Sequence, residues 1–213
     1  MLPKNKQAIT PVSSNPKKTV GLLGGTFDPP HIGHLVVADQ VRSALDLDEI
    51  RLVVANQPWQ KTDSRKITSA VRRLEMVGSA VSESLPLSKI TVSDVEIVMG
   101  GPSFTFETLN YLTNQEPETE WKVIIGADTA TQLNTWHRAN ELRLLTSFVV
   151  VNRPGWVGQP SKGWDWQLVE IPSLEVSSSE LRAAVACGKS IQFLTPNVVI
   201  QHIHSWGLYR QEL

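Results

Sequence analysis

The chain has 213 residues, of which 41% are hydrophobic and 19% charged, so it is long enough to bury a substantial core as a globular enzyme domain. No apolar run approaches the roughly 20 residues that span a bilayer, and a formal net charge of −1 gives no general attraction to nucleic acid, so neither a membrane nor a nucleic acid is expected as a partner. The single cysteine excludes an internal disulfide and favours a reducing, cytoplasmic location.

The first 18 residues contain four lysines and three prolines but no apolar segment of the kind that a signal peptide needs. We therefore predict a disordered N-terminal tail over residues 1–18. Beyond the tail we find no internal repeat and no sign of a second domain, which predicts one domain over residues 19–213.

From Thr19 onward, short apolar runs alternate with amphipathic stretches, a pattern typical of a parallel sheet covered by helices on both faces. Strands are predicted over residues 19–24, 51–55, 90–98, 121–126, 148–152 and 167–171. Helices are predicted over residues 34–45, 68–83, 104–114, 128–145 with a break near Trp136, 178–187 and 197–205. A segment rich in glycine and proline, 154–165, is predicted as a surface loop. In such a fold the ligand crevice lies beyond the carboxyl ends of the strands.

The segment 24–34, GGTFDPPHIGH, lies where the first predicted strand meets the first predicted helix. Its leading glycines let the backbone approach a ligand closely, and free N–H groups at the helix start favour an anion. Gly33 is expected to keep the first helical turn open on the ligand side. His31 and His34 lie about one turn apart and share a helix face. A lone histidine is more often structural, but two at this spacing behind a glycine turn indicate a nucleotide-phosphate site.

A second anion site is predicted at the start of the helix over residues 178–187. Ser177 and Glu180 form a capping-box pattern that opens this helix. A capped helix alone would explain that pair, but Arg182 follows Ser178 and Ser179 by four and three residues and so shares their face. A cation beside two hydroxyls and free N–H groups predicts a second phosphate cradle.

Four further residues have a structural interpretation from the local sequence. Asp128 is explained as a helix N-cap, Trp136 in a polar loop as a packing residue, and Lys61 as a solvated lysine. The ligand contacts that compete with these interpretations are those implied by the resemblance described below, with about equal weight for Asp128 and Lys61. Cys187 is interpreted as a packed small hydrophobic residue in preference to a nucleophile.

The segment 24–34 resembles the (H/T)xGH signature of the nucleotidylyltransferase superfamily, in the form GGTFDPxHxGH of bacterial nicotinate-nucleotide adenylyltransferases. The segment 176–182 resembles that family's ISSTxxR motif, with Val176 in place of isoleucine and Ser179 in place of threonine. The resemblance covers about residues 20–210.

Three other segments extend the resemblance. Residues 124–128 are similar to the family's IIGxD motif, and residues 153–155 are similar to its RPG motif. Residues 101–105 resemble its GPSYT motif, but Phe104 replaces the tyrosine. The loop over residues 56–61 resembles NxxPPHK, and it lacks the histidine before the lysine.

The resemblance implies an α/β fold, a Rossmann-like doubly wound parallel sheet carrying the HxGH nucleotidylyltransferase site. It implies transfer of AMP from ATP to nicotinate mononucleotide, giving nicotinate adenine dinucleotide and pyrophosphate in NAD biosynthesis. The residues that it implies as catalytic are His31, His34 and Arg182. ATP contacts are implied for these three and for Gly24, Gly25, Thr26, Phe27, Lys61, Gly126, Asp128, Ser178 and Ser179. Mononucleotide contacts are implied for Ser103, Phe104, Thr105, Trp136 and Arg153.

Mg²⁺ is expected to be bound mainly through the ATP phosphates, because no carboxylate cluster in the sequence forms an obvious protein cage. The sequence leaves the oligomeric state open. Three alternatives also stay open. A phosphopantetheine or cytidylyl relative would share the HxGH core but not the other motifs together. A class I aminoacyl-tRNA synthetase also has HIGH, although this chain is short and lacks a KMSKS loop, and a non-catalytic nucleotide sensor would not need the histidines and arginine intact.

Overall fold

Six parallel strands form one sheet in a computed structural model, which describes residues 17–58, 67–84, 89–152 and 161–210. The strands are β1 (Lys18–Gly25), β2 (Glu49–Val54), β3 (Ile90–Ser93), β4 (Thr119–Gly126), β5 (Ser147–Asn152) and β6 (Trp166–Glu170). The α-helices are α1 (Ile32–Ala44), α2 (Ala70–Ser84), α3 (Val95–Met99), α4 (Thr105–Gln115), α5 (Ala127–Ala130), α6 (Ala139–Leu145), α7 (Ser178–Ala186) and α8 (Asn197–Ser205). The order across the sheet is β3-β2-β1-β4-β5-β6.

Alternate residues of the central strands enter two separate cores, one on each face of the sheet. Leu22 and Val123 belong to the core that packs against α4, whereas Leu23 and Ile124 belong to the core that packs against α1. A third apolar cluster joins α2, α7 and α8. Helices therefore cover both faces of a parallel sheet, and the prediction of a doubly wound α/β fold is confirmed.

The predicted strand over residues 90–98 is wrong in its second half. Pairing with β2 stops at the Val53–Ser93 register, because β2 itself ends at Val54. As β3 is the edge strand, no other neighbour extends it. The chain instead turns into the short helix α3, which ends at Gly100 with a φ of 71°. The alternation of apolar residues did not reveal this change, because an edge strand also needs a neighbouring strand with which to form hydrogen bonds.

The other predicted elements are found within a few residues of their predicted bounds. The predicted break near Trp136 is confirmed, because a 3₁₀ turn over Leu133–Thr135 separates α5 from α6. Strand β1 begins at Lys18, one residue before the predicted boundary of the tail, while residues 1–16 lie outside the described residues. The interpretation of Cys187 as a packed residue is wrong, because it is exposed at the end of α7. Among the described helices, none is both long and apolar enough to cross a membrane.

Candidate active site

The site lies at the carboxyl edge of the sheet, where β1 is flanked by β2 on one side and β4 on the other. At this position successive crossover connections leave the sheet in opposite directions, so a crevice opens between the loops that follow β1 and β4. A cavity of about 250 Å³ occupies it. Eight of the residues predicted as ligand contacts line this cavity: Gly24, Gly25, Thr26, Ser103, Phe104, Thr105, Gly126 and Trp136.

The two histidines of the segment 24–34 are held against each other at the start of α1. Their rings stack with centroids 3.7 Å apart, and Phe27 presents its ring at 74° to the ring of His34. The backbone N–H of His31 donates to Nδ1 of His34 at 3.1 Å. Because Nδ1 accepts this bond, a neutral His34 carries its proton on Nε2.

Burial controls the protonation of His31, which is 7% exposed. Burial lowers the pKa of His31 to about 4, and the opposing attraction of Glu180 is smaller. The imidazole is therefore neutral at pH 7, and it can donate only one hydrogen bond. Its Nδ1 is buried without a hydrogen-bond partner, so Nε2 is the position from which it would serve a ligand.

The predicted second cradle lies against the turn that precedes this pair. Ser177 caps α7 by accepting from the Glu180 N–H at 3.2 Å, as predicted, and its own hydroxyl donates to the Glu180 carboxylate at 2.8 Å. The reciprocal half of the predicted capping box is not formed, because that carboxylate accepts from the Ser177 hydroxyl and not from the Ser177 backbone N–H. Arg182 donates to the carbonyl of Asp28 at 2.7 Å and to the hydroxyl of Ser179 at 2.9 Å. Segments about 150 residues apart in the chain thus form one surface.

The hydroxyl of Ser178 is directed at the protein, because it donates to the Pro29 carbonyl at 2.8 Å. It clamps the turn that precedes α1. The hydroxyl hydrogen, which the sequence suggested for an anion, is therefore engaged by the protein, whereas a backbone N–H at a helix start has no partner within its helix.

Gly33 has a closer role than the predicted opening toward a ligand. A Cβ at this position would lie 3.0 Å from Nδ1 of His31 and 3.1 Å from Cγ1 of Val176. The glycine is therefore the point at which the His31 ring and the segment leading into α7 approach α1.

Two residues that the sequence analysis did not identify, Tyr209 and Arg73, hold the turn between β1 and α1 in place. The Tyr209 hydroxyl donates to the carboxylate of Asp28 at 2.6 Å, and burial together with Asp28 raises the pKa of Tyr209. Arg73 on α2 is 1% exposed and donates to the carbonyl of Thr26 at 2.7 Å. The sequence contained a signal that Arg73 is buried, because it lies three residues before Met76 and so falls on the apolar face of α2.

The other wall of the cavity is formed by the start of α4 and by the residues before α6. The Ser103 hydroxyl accepts from the backbone N–H of Asn56 at 2.8 Å. Phe104 precedes α4, and its ring stacks on His137 with centroids 4.3 Å apart. Trp136 packs edge-on against Phe148 at 6.2 Å.

Glu96 adds a carboxyl group to this wall of the cavity. It accepts from the Thr108 hydroxyl at 2.6 Å. Burial raises the pKa of Glu96, while hydrogen bonds from Ser103 and Thr108 and the charge of Arg73 act in the opposite direction. The Glu96 carboxyl therefore keeps its proton to a higher pH than a solvated glutamate would.

Not every predicted contact residue is part of the cavity lining, which among the described residues leaves out Phe27, His31, His34, Asp128, Ser178, Ser179 and Arg182. Gly126, not Asp128, is the N-cap residue of α5, so the interpretation of Asp128 as a helix cap is wrong. Asp128 is exposed, with its carboxylate beside Gly126. Lys61 and Arg153 lie outside the described residues. Within the described ranges, no group of three or more His, Cys, Asp or Glu side chains is arranged to hold a metal ion.

Comparison with known proteins agrees with this geometry. Residues 22–184 match the cytidylyltransferase-like family. A relative from Exiguobacterium sibiricum, named a probable nicotinate-nucleotide adenylyltransferase, is 42% identical over 89% of this chain and 98% of its own length. One of the same name from Lactiplantibacillus plantarum is 36% identical over 94% and 92%.

A solved structure has a similar fold. It is described as Plasmodium falciparum nicotinic acid mononucleotide adenylyltransferase complexed with NaAD. The TM-score is 0.77 at 23% sequence identity, and the match covers 90% of this chain and 97% of that chain. The similarity extends over nearly the whole length of both chains.

Proposed function

We propose, from the premise that this chain belongs to the family of nicotinate-nucleotide adenylyltransferases, that it transfers AMP from ATP to nicotinate mononucleotide. The products are nicotinate adenine dinucleotide and pyrophosphate, in NAD biosynthesis. The observation that carries the site assignment is that Arg182 and Ser178 bond the carbonyls of Asp28 and Pro29, in the turn that leads into the stacked histidine pair. Thr26, in the same turn, lines the cavity together with the loop over residues 101–105.

The reaction needs alignment and charge neutralisation more than proton transfer. The phosphate of the mononucleotide is an anionic nucleophile at neutral pH, so its oxygen attacks the α-phosphorus of ATP without a general base. As that bond forms, the bond from the α-phosphorus to the bridging oxygen breaks, and pyrophosphate leaves with the electron pair. Groups held in place before the reaction lower its barrier because they need no reorganisation as the charge moves.

The two cradles divide this work in our proposal. His31, which burial keeps neutral, and His34 donate from their Nε2–H groups to phosphate oxygens of ATP. Arg182 neutralises the β and γ groups and the pyrophosphate that leaves. The backbone of Gly24–Phe27 and the N–H groups of Ser178 and Ser179 bind the polyphosphate. Lys61, Gly126 and Asp128 complete the proposed ATP contacts.

The mononucleotide would occupy the cavity beside the start of α4. Trp136 and Phe104 offer ring surfaces for the pyridine, and the N–H groups around Ser103 and Thr105 suit a carboxylate. Arg153, which follows β5 in the sequence, is proposed as a phosphate contact. These roles follow the family motif positions, and the shared cavity supports those of Ser103, Phe104, Thr105 and Trp136.

Magnesium is proposed to enter as the MgATP complex. The groups near the cleft are mainly imidazoles, hydroxyls, amides and a guanidinium, and the carboxyl of Glu96 already accepts from Thr108. This set suits phosphate oxygens better than a hard cation. The metal would therefore be held mainly by phosphate and water, and it would add positive charge at the leaving group. We also propose a cytoplasmic location, which the exposed thiol of Cys187 supports because such a thiol persists in a reducing compartment.

The test is an assay of the purified chain with MgATP and separate mononucleotide phosphates: nicotinate mononucleotide, nicotinamide mononucleotide and phosphopantetheine. MgCTP replaces MgATP in a parallel series. The match to the cytidylyltransferase-like family makes transfer of CMP from CTP the alternative reaction to test. We expect pyrophosphate and nicotinate adenine dinucleotide from the first pair at the highest rate. Faster turnover with phosphopantetheine or CTP would refute the proposal, and nucleotide binding without any turnover would favour a sensor.

A further inference from the structure

Arg73 is the most deeply buried cation in the described part of the chain, and it bonds carbonyl oxygens. Its Nη1 donates to Thr26 at 2.7 Å, its Nε to Thr68 at 2.7 Å, and its Nη2 to Asn56 at 3.2 Å. Burial lowers the pKa of Arg73, with Asp28, Tyr209 and Glu96 acting in the opposite direction. A guanidinium nevertheless stays charged in a protein, so a full positive charge lies beneath the site.

The three carbonyls belong to three separate stretches of chain at the carboxyl edge of the sheet. Thr26 follows β1, Asn56 follows β2, and Thr68 leads into α2. Asn56 in turn bonds Ser103 and the carbonyl of Gly101, at the start of the α4 wall. One side chain thus joins the loops of both proposed substrate sites.

The bond to Thr26 fixes the direction of the next backbone amide. The C=O and N–H of a trans peptide point in opposite directions, and the Thr26–Phe27 bond is trans. Because the Thr26 carbonyl is turned inward to Arg73, the N–H of Phe27 is turned away from it. Phe27 has a φ of 51°, a left-handed value that a bulky residue keeps only where its surroundings hold it.

We propose that Arg73 is a positioning residue for the triphosphate of ATP. It keeps the Thr26 carbonyl away from the incoming anion, so that the Phe27 N–H is presented to a phosphate oxygen, and it places its own charge behind that amide. The assignment rests on the proposed function for the identity of the ligand. The assignment goes beyond the proposed function because it gives a role in ATP binding to a buried residue that acts through the backbone and does not contact the substrate.

The decisive variant is Arg73→Lys, which keeps the charge but cannot bond three carbonyls in a planar fork. The matched control is Arg51→Lys, because Arg51 in β2 is another arginine with little exposure, and it pairs with the carboxylates of Glu49 and Glu116 instead of carbonyls. Calorimetry with magnesium tripolyphosphate measures the anion site without any turnover. Steady-state kinetics then give KM for MgATP, KM for nicotinate mononucleotide, and kcat.

We expect Arg73→Lys to weaken tripolyphosphate binding and to raise KM for MgATP by about tenfold or more, the scale of one lost charge-assisted hydrogen bond. KM for the mononucleotide should change much less, because the bond to Asn56 is the longest of the three. Arg51→Lys should alter neither constant. Equal losses of both substrates in Arg73→Lys, or no loss, would overturn the proposal.

A measurement on the unaltered protein keeps the proposal testable if Arg73→Lys does not fold. Adding magnesium tripolyphosphate should shift the backbone amide resonance of Phe27 downfield, as expected for a new hydrogen bond to an anion. The amide of Gly78, in the middle of α2, where an added Cβ would meet no atom within 4 Å, serves as the reference. An unmoved Phe27 resonance would overturn the proposal. Tripolyphosphate binding that depends on Arg73, in a chain that makes no dinucleotide, would instead refute the proposed function and leave this inference intact.

Discussion

The two walls of the cleft are built in different ways. On the phosphate side, Phe27, Asp28, His31 and Arg73 are each less than 10% exposed and are tied together by segments from distant parts of the chain. On the pyridine side, the aromatic residues are only partly buried or exposed, and they lie where short helices begin or break.

The difference follows from the two kinds of recognition. A polyphosphate is bound by directed charge-assisted bonds, which lose much of their energy if the donors must reorganise. A pyridine ring is bound through apolar area, which tolerates small displacements. We therefore expect changes on the phosphate side to reduce turnover and changes on the pyridine side to reduce selectivity and binding.

The largest effect is expected for His34→Ala. If this ring stabilises charge in the transition state, kcat at saturating MgATP should fall by at least about a hundredfold, the scale of losing one preorganised donor. Thermal unfolding should change little, because His34 is only partly buried. His204→Ala, at an exposed position of α8, is the control. Near-normal kcat in His34→Ala would contradict the assignment.

The second prediction tests the pyridine side through the substrate. Nicotinate mononucleotide should be preferred over nicotinamide mononucleotide by roughly ten- to two-hundredfold in kcat/KM, because the amide exchanges a charge-assisted bond of about 1.5–3 kcal/mol for a poor contact. The two substrates share the same phosphate, so their comparison isolates the carboxylate. Equal kcat/KM values would mean that the loop over residues 101–105 does not form an acid-specific pocket.

The third prediction concerns protein stability and the buried His31. Its pKa of about 4 in the folded state lies below the ordinary value of 6.5, so the unfolded chain binds the proton more tightly between these values. The free energy of unfolding should therefore fall as the pH drops from 7 to 5, by about 2 kcal/mol from this residue. Urea titrations of the unaltered protein and of His31→Gln measure it. Parallel pH profiles for the two proteins would rule out the depressed pKa.

The smallest changes in kinetic constants are expected for one substitution on each wall of the cleft. Arg182→Ala should raise KM for MgATP by about tenfold and lower kcat, whereas Trp136→Ala should raise KM for the mononucleotide by a few-fold to about tenfold. Steady-state kinetics with each substrate varied in turn distinguish the two patterns. Interchanged effects would mean that the substrates occupy the cleft in the opposite order.

The sequence predicted those features that depend on local pattern. The strand-to-helix junction before His31, the Ser177 cap of α7 and the parallel sheet each follow from spacing over a few residues, although Gly24 and Gly25 end β1 and do not form the predicted turn. It did not predict the helix at Val95, which depends on where the neighbouring strand ends. Nor did it predict Arg73, because a charged residue on a helix is normally exposed, and only the three carbonyls that converge on it compensate for its burial.

Long-range partners account for the rest of what spacing could not reveal. Tyr209 reaches Asp28 across 181 positions of sequence, and Ser178 reaches Pro29 across 149. Sequence periodicity cannot reveal such long-range hydrogen bonds, because each residue fits the pattern of its own helix or turn whether or not its partner is present. The roles of individual residues in binding stay predictions that the experiments above address.

The glycine between the two histidines fixes a distance between two separate helices. The space that a methyl group at Gly33 would need is already taken by the His31 ring and by Val176, which leads into α7. A single added carbon would have to displace one of them by a few tenths of an ångström. A displaced His31 would carry the stacked His34 with it, and a displaced Val176 would shift Arg182. Residues 31–34 therefore determine how closely α7, which begins about 145 residues later in the sequence, can approach α1. The width of the proposed cleft depends on that distance.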